Sequence, residues 1–200
     1  MAEFPLVSQV LALGPELQTD AWALGSAELE LVLGEVAAGR TRVVECGSGL
    51  STIAIARLLR ELGAGSVHAL EHDPEWVALG RKRIAAEGLG ELATIVAAPL
   101  AGDPLAPPGC RWYERRALAA LPGEIDLLLV DGPPAEPGGP AERSRYPALP
   151  LVADRLEEGA VVVLDDGARD GERWVLERWL DEFQIQFERR RGCALGTFNA

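Results

Sequence analysis

VVECGSGLST occupies residues 43–52. An apolar run stops at an acid, Glu45. Gly47 and Gly49 follow, and then a helical pattern begins, with Ile55, Leu58, Leu59 and Leu62 at i, i+3, i+4 and i+7. The stretch reads as a strand over 42–45, a tight glycine turn and a helix. Glycines between strand and helix let the backbone approach a ligand closely. The third glycine of a dinucleotide fingerprint is absent, because position 52 is Thr52. A carboxylate beside the turn is poorly placed for a pyrophosphate. It suits a ligand carrying an ammonium or sulfonium cation.

The same alternation continues outward. Upstream, Leu29, Val32, Leu33 and Val36 mark an amphipathic helix. Downstream, 66–71 is a second strand. Asp73-Pro74-Glu75 opens a helix that runs to about Gly88, with an N-cap carboxylate, a first-turn proline and an acid at the positive helix end. Residues 93–98 form a third strand. Within 99–124, WYERRALAAL suggests a short helix. IDLLLV, residues 125–130, is a buried strand that ends at Asp131. Residues 132–147 form a long loop with five prolines, of a length that suits a functional lid. A short helix reaches about Leu156, and AVVVL, residues 160–164, is a fifth strand ending at Asp165-Asp166. Leu176, Trp179, Leu180 and Phe183 give another helical face. Residues 184–189 and 193–199 form an antiparallel hairpin. Strands alternating with helices predict βαβ units, a mostly parallel sheet and right-handed crossovers. The runs IDLLLV and AVVVL suit central strands covered on both faces.

Composition narrows the function. The 200 residues are 48% hydrophobic and 25% charged, enough for a full core in one domain. Residues 1–40 are expected as an N-terminal helical segment and 41–200 as the sheet core. No apolar run reaches 18 residues, which argues against membrane association. The first ten residues lack a basic segment before Pro5, so a secretory leader is not expected. Cys46, Cys110 and Cys193 are too scattered for a disulfide framework or zinc knuckle. These features suggest a cytoplasmic protein. A net charge of −12 repels a phosphate backbone and disfavours nucleic acid as partner. Small-molecule chemistry is the better expectation, and homo-oligomerisation is left open. Lys82 is the only lysine among many arginines, a bias that suits a GC-rich bacterial genome.

In a parallel sheet the ligand sits beyond the carboxyl ends of the strands. At the second end, Glu71 can accept hydrogen bonds from both hydroxyls of a ribose, with His72 beside an adenine edge. The third end, Ala97-Ala98-Pro99, is apolar, so contact to a base there rests on packing and backbone groups. Asp131 and the pair Asp165-Asp166 close the fourth and fifth. Three carboxylates at adjacent tips repel one another unless one holds a proton, water screens them or a cation is present. Oxygen-only ligands suit magnesium.

VVECGSGLST, ALEHDPEWV, IDLLLVDGPP and GAVVVLDDGARDGER, in this order, resemble the successive motifs of class I S-adenosylmethionine-dependent methyltransferases. The likeness is closest to the bacterial subgroup related to catechol and macrocin O-methyltransferases. It implies a Rossmann-like three-layer α/β sandwich with a seven-stranded, mostly parallel sheet whose last strand, from Cys193, runs antiparallel. It also implies a cofactor set. Glu45, Gly47 and Gly49 take the methionine part, with Ser48 and Thr52 in the same turn. Glu71 takes the ribose, and His72 and Ala98 lie by the adenosine. Asp131 lies by both methyl donor and acceptor. In metal-dependent relatives, acids at the places of Asp131, Asp165 and Asp166 bind magnesium. The chain departs from many relatives in its apolar Ala97-Ala98, and no lysine base is evident. Methyl transfer to a small-molecule acceptor, with Asp131 as catalytic residue and magnesium as an optional assistant, is the leading expectation. A nicotinamide oxidoreductase, an inactive nucleoside-binding module and an aminopropyl transferase are the competing ones. Trp112-Tyr113 and the proline-rich loop are expected to cover the acceptor.

Overall fold

The computed structural model describes residues 5–12 and 24–199. Alternating apolar runs build a seven-stranded sheet from β1 (Arg42–Cys46), β2 (Ser66–Glu71), β3 (Ala93–Ala97), β6 (Ile125–Val130), β7 (Leu156–Leu164), β8 (Phe187–Arg190) and β9 (Cys193–Thr197). The order across the sheet is β3-β2-β1-β6-β7-β9-β8. The first five in that order are parallel; β9 is antiparallel to both β7 and β8. The antiparallel last strand and the mostly parallel sheet are as the sequence implied. A separate two-stranded piece pairs β4 (Leu100–Ala101) with β5 (Trp112–Tyr113).

The side-chain period of two splits the strands between two cores. Val43, Val67, Ala69, Leu127, Leu129, Val161 and Val163 face one side. There they meet α1 (Pro5–Ala12), α2 (Ser26–Ala37), α3 (Leu50–Leu62) and α4 (Pro74–Ala86) through residues such as Val10, Leu33, Ile55 and Val77. Val44, Cys46, Leu128, Val130, Val162 and Leu164 face the other side. They are covered by Trp112, by α5 (Ala148–Val152) and by Trp179 of α6 (Asp170–Phe183). Each fully buried Val or Leu contributes about 1.5–3 kcal/mol, so both faces of the central strands are committed to packing. Asp73 caps α4 as expected, accepting from the Glu75 amide at 2.8 Å with Pro74 at the first position.

Three expectations change. WYERRALAAL is not one helix: Trp112 and Tyr113 pair with Ala101 and Leu100, and only 115–120 form a short 3-10 helix. The fifth strand begins at Leu156 rather than Ala160, and the helix before it ends at Val152 with a 3-10 turn. The closing hairpin starts later, at Phe187, because Gln184 takes a left-handed conformation after α6. Of the expected N-terminal helical segment, residues 1–4 and 13–23 lie outside the described residues.

Candidate functional site

The tips of β1, β6 and β7 are stitched together by backbone. Gly47 donates to the Leu70 carbonyl at 2.9 Å, Asp131 to the Cys46 carbonyl at 3.0 Å and Asp165 to the Val130 carbonyl at 3.0 Å. Gly47, at φ 97°, sits against Gly132: a Cβ built on Gly132 would meet Gly47 Cα at 3.0 Å. Above this crossing lies a cleft of about 330 Å³. Its walls include Gly47, Ser48, Gly49, Glu71, His72, Asp131, Asp165 and Asp166. The structure therefore brings most of the candidate residues to one place.

Glu71 is held for acceptance. Its Oε2 takes hydrogen bonds from the Ser48 amide (3.1 Å) and hydroxyl (2.8 Å), and its Oε1 from the Asp73 amide (2.8 Å). His72 Nδ1 lies 3.0 Å from Oε1. Burial works against the charge of Glu71, but the bonds from His72, Asp73 and Ser48 outweigh it and hold the carboxyl below its ordinary range. The bond to Glu71 in turn raises the pKa of His72.

Glu45, Thr52 and Ala98 do not line the cleft. Glu45 is 1% exposed, and its two oxygens accept from the hydroxyls of Ser51 and of Thr52, the latter at 2.6 Å. Thr52 Oγ1 also accepts from the Gly49 amide at 3.2 Å. The acid at the strand end thus grips the first turn of α3 and shapes the glycine turn from below. Burial pushes its carboxyl up to about 7, against the lowering effect of those hydroxyls. Ala98 is fully buried, its amide bonded to the Glu71 carbonyl at 2.7 Å.

On the other side of the cleft Asp131, Asp165 and Asp166 each offer an oxygen within 4.8 Å of one another. The sequence reading missed what lies beside them. Arg145, its side chain 5% exposed, reaches in from the proline-rich loop. Its Nη1 donates to the Asp165 carbonyl (3.1 Å) and to Asp166 Oδ2 (3.2 Å), and lies 3.5 Å from Glu172 Oε1; its Nη2 is 3.5 Å from Asp131 Oδ1. Arg169 Nη1 lies 2.7 Å from the same Asp166 oxygen. Burial opposes the charge of Arg145, but Asp131, Glu172 and Asp166 outweigh it and keep the guanidinium protonated. Burial raises the Asp131 carboxyl well above its ordinary value despite Arg145, with Asp165 adding to the rise. The all-oxygen donor set of Asp131, Asp165 and Asp166 fits a divalent cation.

The loop 132–147 is tucked in by successive turns, such as Glu142 to the Gly139 carbonyl and Tyr146 to the Arg143 carbonyl, and lines the cleft through Gly132, Pro134 and Arg145. Trp112 is core, not cover: it is fully buried and edge-on to Tyr113, with ring centroids 4.9 Å apart. Tyr113 does line the cleft. The sequence held one signal for Arg145, the demand of three clustered acids for a counter-cation. It held none for which arginine would answer.

A family model described as a methyltransferase domain matches residues 44–167, from β1 to just past the tip of β7. No curated protein matches. Among solved structures, the chain is similar to an O-methyltransferase from Bacillus cereus in complex with S-adenosylhomocysteine: 16% identity, TM-score 0.64, covering 100% of this chain and 93% of that one. It is also similar to TomG from Streptomyces achromogenes, an O-methyltransferase involved in tomaymycin synthesis and solved with S-adenosylmethionine (17%, TM-score 0.63, 100% and 92%). A methyltransferase from Geobacter sulfurreducens gives 16%, TM-score 0.61, 99% and 90%. At these identities the likeness shows the fold.

Proposed function

The chain belongs to the methyltransferase domain family, and from that premise we propose that it transfers a methyl group from S-adenosylmethionine to an oxygen of a small-molecule acceptor. One observation carries the reading: a single cleft places an ionised acceptor of hydroxyl groups, Glu71, across the glycine turn from Asp131 and its acidic neighbours. Glu71 takes the ribose hydroxyls, exchanging the Ser48 hydroxyl for them. The turn 47–49 lets the methionine part approach the backbone, and the sulfonium faces Asp131.

The acceptor oxygen attacks the methyl carbon in line. The carbon–oxygen bond forms as the carbon–sulfur bond breaks, leaving S-adenosylhomocysteine, and without metal the acceptor's proton passes to Asp131. Holding both reactants at attack distance supplies about 7–11 kcal/mol of the barrier. Burial raises the proton affinity of Asp131 and so suits it to this role, while Arg145 orients its carboxylate. Asp131, Asp165 and Asp166 would hold a magnesium ion, which when bound lowers the pKa of the acceptor hydroxyl.

The test is calorimetry with S-adenosylhomocysteine, followed by turnover on catechol, phenolic and sugar acceptors with and without magnesium. Wild type is expected to bind and to turn over one acceptor class. Asp131→Asn should keep binding and lose roughly a hundredfold or more in turnover, the scale of general base catalysis. Undiminished turnover by that variant would overturn the assignment of Asp131. Absence of binding by the wild type would overturn the function.

A further inference from the structure

Arg145 grips its acidic partners loosely. Its side chain is 5% exposed, yet its contacts to carboxylate oxygens run long: 3.2 Å to Asp166, 3.5 Å to Asp131 and 3.5 Å to Glu172. Charge-assisted bonds of this kind usually measure about 2.7–2.9 Å. Its Nε has no hydrogen-bond partner among the described residues. Its shortest bond, 3.1 Å, goes to the backbone carbonyl of Asp165. The guanidinium is therefore shared among three acids and locked in a bidentate pair with none.

Two of those acids belong to the triad that fits a divalent cation. The third stands outside it. Glu172, in the first turn of α6, is 2% exposed, and its Oε1 accepts no hydrogen bond among the described residues. A buried carboxylate oxygen without a donor is costly. Arg145 Nη1 lies 3.5 Å from that oxygen, so a small shift of the guanidinium supplies the donor. A divalent cation and a guanidinium on the same carboxylates repel each other, and burial leaves little screening between them. Moving onto Glu172 keeps Arg145 paired while it releases Asp131 and Asp166. Arg169 also pairs with Asp166, but its side chain is 37% exposed and water screens its charge.

Resting on the magnesium assignment made above, we propose that Arg145 is the triad's own placeholder cation. It pairs with Asp131 and Asp166 in the metal-free protein, retreats onto Glu172 when a divalent cation arrives, and so sets how tightly that cation is held. Glu172 is a positioning residue that acts through Arg145.

Manganese alone, with the unbound ion counted by electron paramagnetic resonance at pH 8, tests this on the cofactor-free chain. Arg145→Met should bind manganese about tenfold more tightly than wild type, within the usual range of coupling between two sites. Glu172→Gln should bind it about fivefold more weakly, because the guanidinium then has no second acid and stays on the triad. Added to Arg145→Met, Glu172→Gln should change nothing, since no guanidinium is left to move. Unchanged or weaker binding by Arg145→Met overturns the proposal, as does binding by neither that variant nor wild type. An equal loss from Glu172→Gln in both backgrounds shows a direct effect of its charge and overturns the retreat. If Arg145→Met does not fold, Glu172→Gln alone decides, and undiminished affinity overturns the proposal. Calorimetry with S-adenosylhomocysteine separates the two readings: wild type that binds manganese but not this ligand removes the methyltransferase reading, while the variants still decide the role of Arg145.

Discussion

Glu45→Gln isolates the electrostatic cost of the buried acid beneath the glycine turn. Glu45 is 1% exposed and bonded to two hydroxyls but, among the described residues, to no cation, so burial raises its carboxyl from 4.5 to about 7. A raised acid binds its proton more tightly in the folded chain than in the unfolded one. Its contribution to stability is therefore largest below pH 4.5, falls as pH rises between 4.5 and 7, and levels off above 7. The full difference is about 3 kcal/mol, at 1.36 kcal/mol per pH unit. Glutamine keeps the shape and offers an oxygen to one hydroxyl and an amide to the other, but does not titrate. Urea unfolding of the ligand-free proteins from pH 5 to pH 8 should show wild type losing roughly 2–3 kcal/mol more than the variant. At 2–4 °C per kcal/mol for a chain of this size, melting midpoints should diverge by about 5–10 °C. Any fixed offset from altered hydrogen bonds shifts the variant equally at every pH and leaves this divergence intact. Glu172, whose carboxyl burial also raises, titrates in both proteins and cancels; Asp131 is raised in part by the charge of Glu45, so the substitution eases that rise and adds to the divergence in the same direction. Stability curves that stay parallel across the range would refute the reasoning, because the carboxylate would then be as well solvated in the fold as outside it.

Arg145→Met removes the guanidinium that faces Asp131, Asp166 and Glu172. Stranding those acids should cost about 3–5 kcal/mol at pH 7 by urea unfolding, and less at low pH where they protonate; a cost under about 1 kcal/mol would mean that water already screens the cluster. Gly132→Ala drives a Cβ to 2.5 Å from Tyr113 Oη and 3.0 Å from Gly47 Cα, whereas Gly123→Ala meets nothing within 4 Å. The first should lose about 1–3 kcal/mol and weaken S-adenosylhomocysteine binding, the second neither; equal behaviour of the two variants would show that the β1–β6 crossing is not tight.

What the sequence made legible was local, and what it hid was carried by distant chain. The strand-end acids could be placed because a parallel sheet puts every carboxyl end on one edge, so four apolar runs sufficed to gather Gly47, Glu71, Asp131 and Asp165. The Asp73 cap was equally local, a bond to an amide two residues on. Trp112 and Tyr113 misread as helix because the β4–β5 pairing joins residues eleven or more apart and leaves no periodic trace in so short a strand. Arg145 hid for the same reason: its carboxylate partners lie 14, 21 and 27 residues away, and a proline-rich loop gives no periodic sign of which side chain turns inward. Glu45 is different, because its true partners were in view. Ser51 and Thr52 follow it by six and seven residues, at the start of the helix that the glycine turn folds back over the strand end. An acid there meets the hydroxyls of its own helix before it meets any ligand. The resemblance assigned Glu45 to the cofactor; the structure shows it bonded to the hydroxyls of its own helix, beneath the turn Gly47–Gly49 that lines the cleft.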